Sequence, residues 1–125
     1  MVLASLITGG SIDLADGIDR LTLSNATNNV TVSNVETLIG SAGDDAVTLA
    51  GTVNGASIDL GAGTNSLTLG SGAGTLGSVS SGSGNDTITI SGGSVSGAVS
   101  TGDGSNSLTI SGSSSSIGSY TGGTG

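Results

Sequence analysis

The sequence predicts an all-β chain wound as a β-solenoid of the parallel β-roll or β-helix type, with about six coils of roughly 20 residues. Three observations carry this. First, a short phrase recurs: DGIDRLTL at 16–23, GDDAVTL at 43–49, GTNSLTL at 63–69, GNDTITI at 84–90 and GSNSLTI at 104–110. Aligned on Gly17, Gly43, Gly63, Gly84 and Gly104, its steps are 26, 20, 21 and 20 residues. A glycine turn followed by a short strand at a nearly fixed period is how stacked coils read in sequence. Second, the 125 residues include 25 Gly and no Pro, Cys, His, Trp or Phe, and Tyr120 is the only aromatic. A core built on large rings is excluded, whereas a narrow core of Val, Ile and Leu suits a thin coil. With no Pro, nothing interrupts a backbone ladder. Third, the aliphatic residues alternate with Thr and Ser at a strand period and show no helical one.

The elements follow in order. Residues 1–14 align without a gap on 47–60, an offset of 46, and 11–23 (SIDLADGIDRLTL) match 57–69 (SIDLGAGTNSLTL). The chain is therefore expected to begin inside a repeat. The stretch 24–42 reads as an irregular coil, longer than the others by about six residues. The remaining coils run 43–62, 63–83, 84–103 and 104–125, and the whole of 1–125 is read as a single solenoid unit, uncapped at both ends. Each coil has a tight turn, a strand of the LTL type, a Gly/Ser bend and a weaker second strand. The second strands are expected at Ser57–Leu60, Leu76–Ser80, Val95–Ser100 and Ile117–Tyr120.

Side chains of a strand alternate between faces. The pairs Leu21/Leu23, Val47/Leu49, Leu67/Leu69, Ile88/Ile90 and Leu108/Ile110 are thus expected to point inward. Thr22, Thr48, Thr68, Thr89 and Thr109 then form an outward rank, one Thr per coil. Their outward neighbours are mostly Ser, Ala or Gly, so the face is flat and weakly polar. Thr is also simply a good exposed strand former.

Nine acidic residues face a single base, Arg20, for a formal charge of −8. That excludes nucleic acid and an anionic membrane surface as partners, since both need a basic footprint. No segment is apolar for long enough to span a bilayer. The opening MVLASLITGG lacks a basic n-region, so no ordinary signal peptide is seen. Without His, Cys or Lys, the common nucleophile–base pairs are missing. The chain is read as no enzyme and as needing no cofactor.

The run SGSGNDTIT at 81–89 resembles the calcium-binding nonapeptide of RTX (haemolysin-type) proteins, and GSAGDDAVT at 40–48 is nearly as close. The phrase SNVETLIGSAGDDAVTL is similar to those that introduce such repeats in large secreted bacterial surface proteins. The resemblance implies calcium held between coils by turn carbonyls and carboxylates, with the Asp role falling on Asp19, Asp45 and Asp86. It also implies an extracellular or cell-surface location reached by non-classical or type I export. The pattern departs from the family's in two ways: the coil is longer than 18 residues, and the equivalent positions at two coils are Asn65 and Asn106. Asp and Asn also favour turns by bonding to their own backbone.

The expected role is structural: an extracellular rod or filament subunit of a surface layer, adhesin stalk or matrix fibre, stacking head to tail with itself. The alternatives are a calcium-binding RTX-type module and an ice-binding Thr face. Joined tail to head, TGGTG–MVLAS reads like TGDGSNSLTIS at 101–111. The C-terminus would supply a turn and the N-terminus the strand after it. Val2, Leu3, Gly122, Gly123 and Gly125 are accordingly the expected end-to-end contacts.

Overall fold

Short strands alternate between two parallel sheets along the whole of residues 1–125, which the computed structural model describes. In chain order they are β1 (Thr8–Asp13), β2 (Arg20–Thr22), β3 (Asn29–Ser33), β4 (Thr37–Ile39), β5 (Ala46–Leu49), β6 (Ser57–Asp59) and β7 (Ser66–Leu69). There follow β8 (Thr75–Leu76), β9 (Ser78–Ser80), β10 (Thr87–Ile90), β11 (Ser94–Gly102), β12 (Ser107–Ile110) and β13 (Ile117–Gly122). One sheet, the threonine sheet, is ordered β1-β3-β5-β7-β10-β12. The other, the return sheet, is ordered β2-β4-β6-β9-β11-β13, with β8 pairing β11 beside that path. Successive strands of either sheet pair in parallel, one coil apart, which makes the molecule an all-β, six-turn parallel β-solenoid. No helix is long and apolar enough to cross a membrane.

Strict register builds the core. In the threonine sheet Val30, Val47, Leu67, Ile88 and Leu108 stand one above another. Beside them runs the column Ile12, Val32, Leu49, Leu69, Ile90 and Ile110. The return sheet answers with Leu21, Leu38, Ile58, Val79, Val99 and Tyr120. Most of these, with Val35 and Val53 of the bends and Leu76 of β8, belong to one continuous buried cluster of 21 aliphatic residues. Each fully buried Leu, Ile or Val contributes about 1.5–3 kcal/mol. Of 65 backbone hydrogen bonds, 34 lie outside the strand ladders, so the turns stack as well as the strands.

The turns stack closely enough to dictate glycine. Gly82 has φ +78°, and a Cβ there would lie 1.9 Å from the Gly61 carbonyl oxygen of the coil below. A side chain is incompatible with that approach.

The first 42 residues correct the sequence alignment. Leu21–Leu23 do not stack on Val47–Leu49, because β2 pairs with β4 in the return sheet. The strand below β5 is β3, in register Val30↔Val47, Thr31↔Thr48 and Val32↔Leu49. The matches of 11–23 to 57–69 and of 1–14 to 47–60 are therefore half a coil out of phase: β1 lies in the threonine sheet and β6 in the return sheet. Nor is 24–42 a longer coil. Asn28 and Asp45 are column neighbours 17 residues apart, so this coil is the short one beside steps of 20, 21 and 20. Both sides of a coil read aliphatic–polar–aliphatic, and a slip of half a coil conserves that pattern.

The inward assignment holds for Leu21, Leu23, Val47, Leu49, Leu67, Leu69, Ile88 and Ile90, all buried. Leu108 is half-buried and Ile110 is exposed, because no strand covers β12 on its outer side.

Candidate functional site

Just before each strand of the threonine sheet from β3 onward sits an Asx residue whose side chain binds the coil before it. The Ile7 N–H donates to Asn28 Oδ1 at 3.2 Å, and the Asn28 N–H to Asp45 Oδ1 at 3.2 Å. The Asp45 N–H donates to Asn65 Oδ1 at 3.0 Å, and the Asn65 N–H to Asp86 Oδ1 at 2.9 Å. The Asp86 N–H ends the series on Asn106 Oδ1 at 2.9 Å. One acceptor thus links each pair of coils, and its members alternate Asn28, Asp45, Asn65, Asp86, Asn106.

The second side-chain atom separates the two residue types. Asn65 Nδ2 donates to the carbonyls of Gly61, Gly63 and Ser81 at 3.3–3.4 Å. Asn106 Nδ2 reaches the Gly102 and Gly104 carbonyls, both at 3.1 Å. Asn28 Nδ2 bonds the carbonyls of Ser24 and Ala26, at 3.0 and 2.7 Å, and Asp45 Oδ1 at 2.7 Å. A carboxylate at the same station has no proton to offer. Asp45 Oδ2 and Asp86 Oδ2 are buried without a partner. Burial pushes the Asp45 carboxyl above its ordinary value, with Asp44 adding repulsion, and the Asn28 bonds only partly counter this.

A second series runs on the outside of the turns. Asp44 Oδ1 accepts the Thr64 N–H at 2.7 Å, Asn85 Oδ1 the Ser105 N–H at 2.9 Å, and Asp103 Oδ1 the Thr124 N–H at 2.7 Å. Asp103 also accepts the Thr124 hydroxyl at 2.9 Å. These bonds hold the Asp103 carboxyl below its ordinary value. Asp13 is lowered too, by the Ala15 N–H and by the Asn34 amide.

Of the three carboxylates expected in one column, Asp45 and Asp86 stand in it and Asp19 does not. Asp19 precedes β2 in the return sheet, where its N–H donates to Glu36 Oε2 at 2.7 Å. Its own Oδ2 is also buried without a partner. The station assigned to Asp19 is held by Asn28. Its signal was in the sequence: SNATNNVTV at 24–32 matches SAGDDAVTL at 41–49 position by position, once aligned on the strand instead of on glycine.

The threonine rank is corrected in the same way. Thr48, Thr68, Thr89 and Thr109 stack outward, but the Thr beneath Thr48 is Thr31, with Ser11 at the foot. Thr22 is opposite Ile39 on the return sheet. Beside the rank stand Asn29, Ala46, Ser66, Thr87 and Ser107.

At the ends, Val2 bridges to Thr22, and the Leu3 N–H donates to the Thr22 carbonyl. The Gly123 N–H donates to the Gly102 carbonyl, and Gly125 lies over Gly104. After Gly104 the chain enters the threonine sheet at β12, whereas Met1–Leu3 lie beside β2 in the return sheet. The tail's turn and the head's strand are thus half a coil out of phase, contrary to the tail-to-head reading of the sequence.

For calcium the donor set is sparse. The ion takes six to eight oxygens, several of them carboxylate. Here Asn alternates with Asp, each column Oδ1 is already engaged by a backbone N–H, and no three acidic side chains converge. The chain's class is that of a parallel β-solenoid whose coils are joined by an Asx column. No family model, no curated protein and no solved structure matches it.

Proposed function

We propose that the chain is a non-enzymatic structural protein: an extracellular or cell-surface rod that joins head to tail with further copies of itself into a filament. The observation that carries this reading is the distribution of uncovered apolar groups. Met1, Val2 and Leu6 are exposed in the first coil, and Ile110 and Tyr120 on the last strands; Ile18 is the one large exposed aliphatic elsewhere. The same strands present unpaired backbone edges, which template further pairing. Contacts that repeat by translation generate fibres when they do not close. With Arg20 the only basic side chain, the junction rests on backbone bonds and aliphatic contact, not on salt bridges. A cell-exterior setting, reached by non-classical or type I export, fits the acidic, Cys-free composition. The test is sedimentation and negative-stain microscopy over a range of concentrations. Assembly is expected to grow with concentration and to persist in high salt, which screens repulsion between acidic copies. A folded monomer at all concentrations would falsify it.

A second reading is a calcium-dependent RTX-type module. The unpartnered Oδ2 atoms of Asp45, Asp86 and Asp19 favour it, with turn carbonyls as the remaining donors. Chelation that lowers the melting temperature by many degrees, restored by calcium, is the result that reading requires.

A further inference from the structure

Asn54 and Gly55 form the only Asn–Gly pair in the chain. An Asn amide followed by Gly is chemically labile, because the glycine nitrogen carries no bulky neighbour to hinder its approach to the Asn side-chain carbon. The pair lies in the bend before β6, between Val53 and Ala56, both fully buried. The Ala56 N–H donates to the Val53 carbonyl at 3.3 Å, which closes a β-turn. Gly55 follows Asn54 in that turn at φ +76°, an angle that calls for glycine. The turn thus selects the residue that makes its neighbour reactive. Asn54 and Gly55 are both exposed, so water and base reach them.

The next coil holds both reacting groups through one residue, Thr75 of β8. The Gly55 N–H donates to the Thr75 carbonyl at 2.7 Å, and the Thr75 N–H donates to Asn54 Oδ1 at 3.2 Å. Thr75 is itself fixed, since β8 pairs with β11 in the register Thr75↔Ser94. Reaction requires the Gly55 nitrogen to give up its proton to solvent base and to move onto Asn54 Cγ. The first bond occupies that proton, and the second pins the amide it must reach. The Thr75 N–H would also stabilise charge on Oδ1, but only once the nitrogen is free. The turn is tied to the same coil on either side as well, by the Val53 N–H to the Ala73 carbonyl at 3.0 Å and the Gly77 N–H to the Ala56 carbonyl at 2.8 Å.

We propose that Asn54 is a self-modification site gated by Thr75: it converts to aspartate and isoaspartate when this turn detaches from the next coil, and is held unreactive while the two are stacked. In the open turn the Gly55 nitrogen, its proton lost to base, forms a bond to Asn54 Cγ. The Asn54 amide nitrogen takes up a proton and leaves as ammonia, which gives a cyclic imide. Water then opens the ring. Cleavage of the bond to Cγ leaves an aspartate with the ordinary backbone. Cleavage of the bond to the main-chain carbonyl leaves an isoaspartate, with the chain running through Cγ. Water is the only co-reactant, and each product adds one negative charge.

The fold treats the two products differently. Aspartate keeps the acceptor that the Thr75 N–H needs. The same bond between coils is made by carboxylates elsewhere, from the Thr64 N–H to Asp44 Oδ1 and from the Thr124 N–H to Asp103 Oδ1, both at 2.7 Å. Isoaspartate instead lengthens the main chain by a methylene. There is no slack for it, because the Gly55 carbonyl oxygen would stand 2.7 Å from a Cβ placed on Gly77. The isoaspartate form therefore loses its stacking on the next coil, and each opening that leads to it leaves a permanent mark.

The test incubates the whole chain at mildly alkaline pH in buffer and in urea, and follows Asn54 by peptide mapping with mass spectrometry. Conversion is expected to run about ten- to a hundredfold more slowly in buffer, the fraction of time a locally opening turn is free. Hydrogen exchange of the Gly55 amide, read by nuclear magnetic resonance, is expected to be slowed by a similar factor. Equal rates of conversion in buffer and in urea overturn the gate, and so does a slowing that the Gly55 amide does not share. No conversion of Asn54 in urea overturns the site itself. For the products, Asn54→Asp protein is expected to melt close to wild type, and the isoaspartate fraction, separated from the aspartate one by ion exchange, several degrees lower. An isoaspartate fraction that melts with Asn54→Asp protein overturns the assignment of the damage to the lengthened main chain.

Discussion

Leu38, Ile58 and Val79 in the middle of the rod are at most 2% exposed. Ile12 and Leu14 of the first coil are half-buried, and Val2 is three-quarters exposed. The residue types are the same in both regions. A middle coil has a neighbour above and one below, so each aliphatic group is covered by its own equivalents. The first coil has a neighbour on one side only. Its turns differ too. Ala15 sits at φ 64° within 11–19, which has no close-packed glycine, whereas Gly61, Gly82 and Gly102 each lie against the carbonyl of the coil beneath. Stability in this architecture is a property of neighbours, and position along the rod sets the value of a given residue.

The largest expected effect therefore comes from Ile88→Asp. It puts a charge into a dry column between Leu67 and Leu108. A loss of about 4–5 kcal/mol, or of cooperative unfolding altogether, is expected in urea denaturation followed by circular dichroism. Ile12→Asp, at the edge of the same core, is expected to cost only about 1 kcal/mol. Equal costs at the two sites would break the comparison.

Glycine substitutions sharpen it. Gly82→Ala meets a backbone oxygen at 1.9 Å and is expected to cost about 2–4 kcal/mol. Gly9→Ala, at φ +92° with nothing within 4 Å of the new Cβ, pays only for its backbone angle, about 1 kcal/mol. The thermal midpoints of the two variants separate these outcomes.

A smaller effect distinguishes Asp from Asn within the column. Asp45→Asn supplies the amide donors that Asn65 uses and is expected to stabilise the protein by about 1–2 kcal/mol at neutral pH. The pH dependence has a definite sign. The folded-state value of Asp45 is raised above its ordinary 3.8. Its carboxyl therefore favours the fold below that value, and stability is lost as pH rises from 3.8 through the folded value. The variant lacks that loss, so the two stability–pH curves diverge upward from 3.8. Asp103, lowered from 3.8, acts in the opposite sense, and its contribution disappears as pH falls below that value. A less stable Asp45→Asn protein in calcium, equal to wild type in chelator, would instead favour ion binding at this station.

The smallest expected effect lies in the first coil. Ala15→Gly relieves a left-handed backbone angle of 64°, and its backbone N–H keeps the Asp13 carboxylate as partner. A net gain of no more than about 0.5–1 kcal/mol is expected from thermal unfolding, since glycine also loosens the unfolded chain.

The middle of the rod was legible because several signals coincide there. From Gly43 to Ile110 the glycine turn, the Asx station and the aliphatic–Thr–aliphatic strand recur together, and each fixes the same register. In residues 1–42 these signals separate. Gly17 belongs to a loop before the return sheet, while the true turn at 24–28 (SNATN) has Ala26 where the later coils have glycine. Alignment on glycine thus chose the wrong strand, and Asp19 and Thr22 moved with it. The alternation of Asn with Asp was visible, but its meaning was not. Only stacked coils show that the amide donates to turn carbonyls and that the carboxylate leaves an oxygen without a partner.

By itself the sequence determined the fold class, the inward and outward faces of the strands from Val47 to Ile90, and the acidic, nearly base-free surface. These follow from local period and composition, which do not depend on what stacks on what. The tertiary structure decided which strand lies beneath which. Both sides of a coil carry the same alternation, so a shift of half a coil costs nothing in pattern; close-packed turns and continuous Asx bonds are satisfied in one register only. That register placed Asn28 in the column and put Thr31 beneath Thr48.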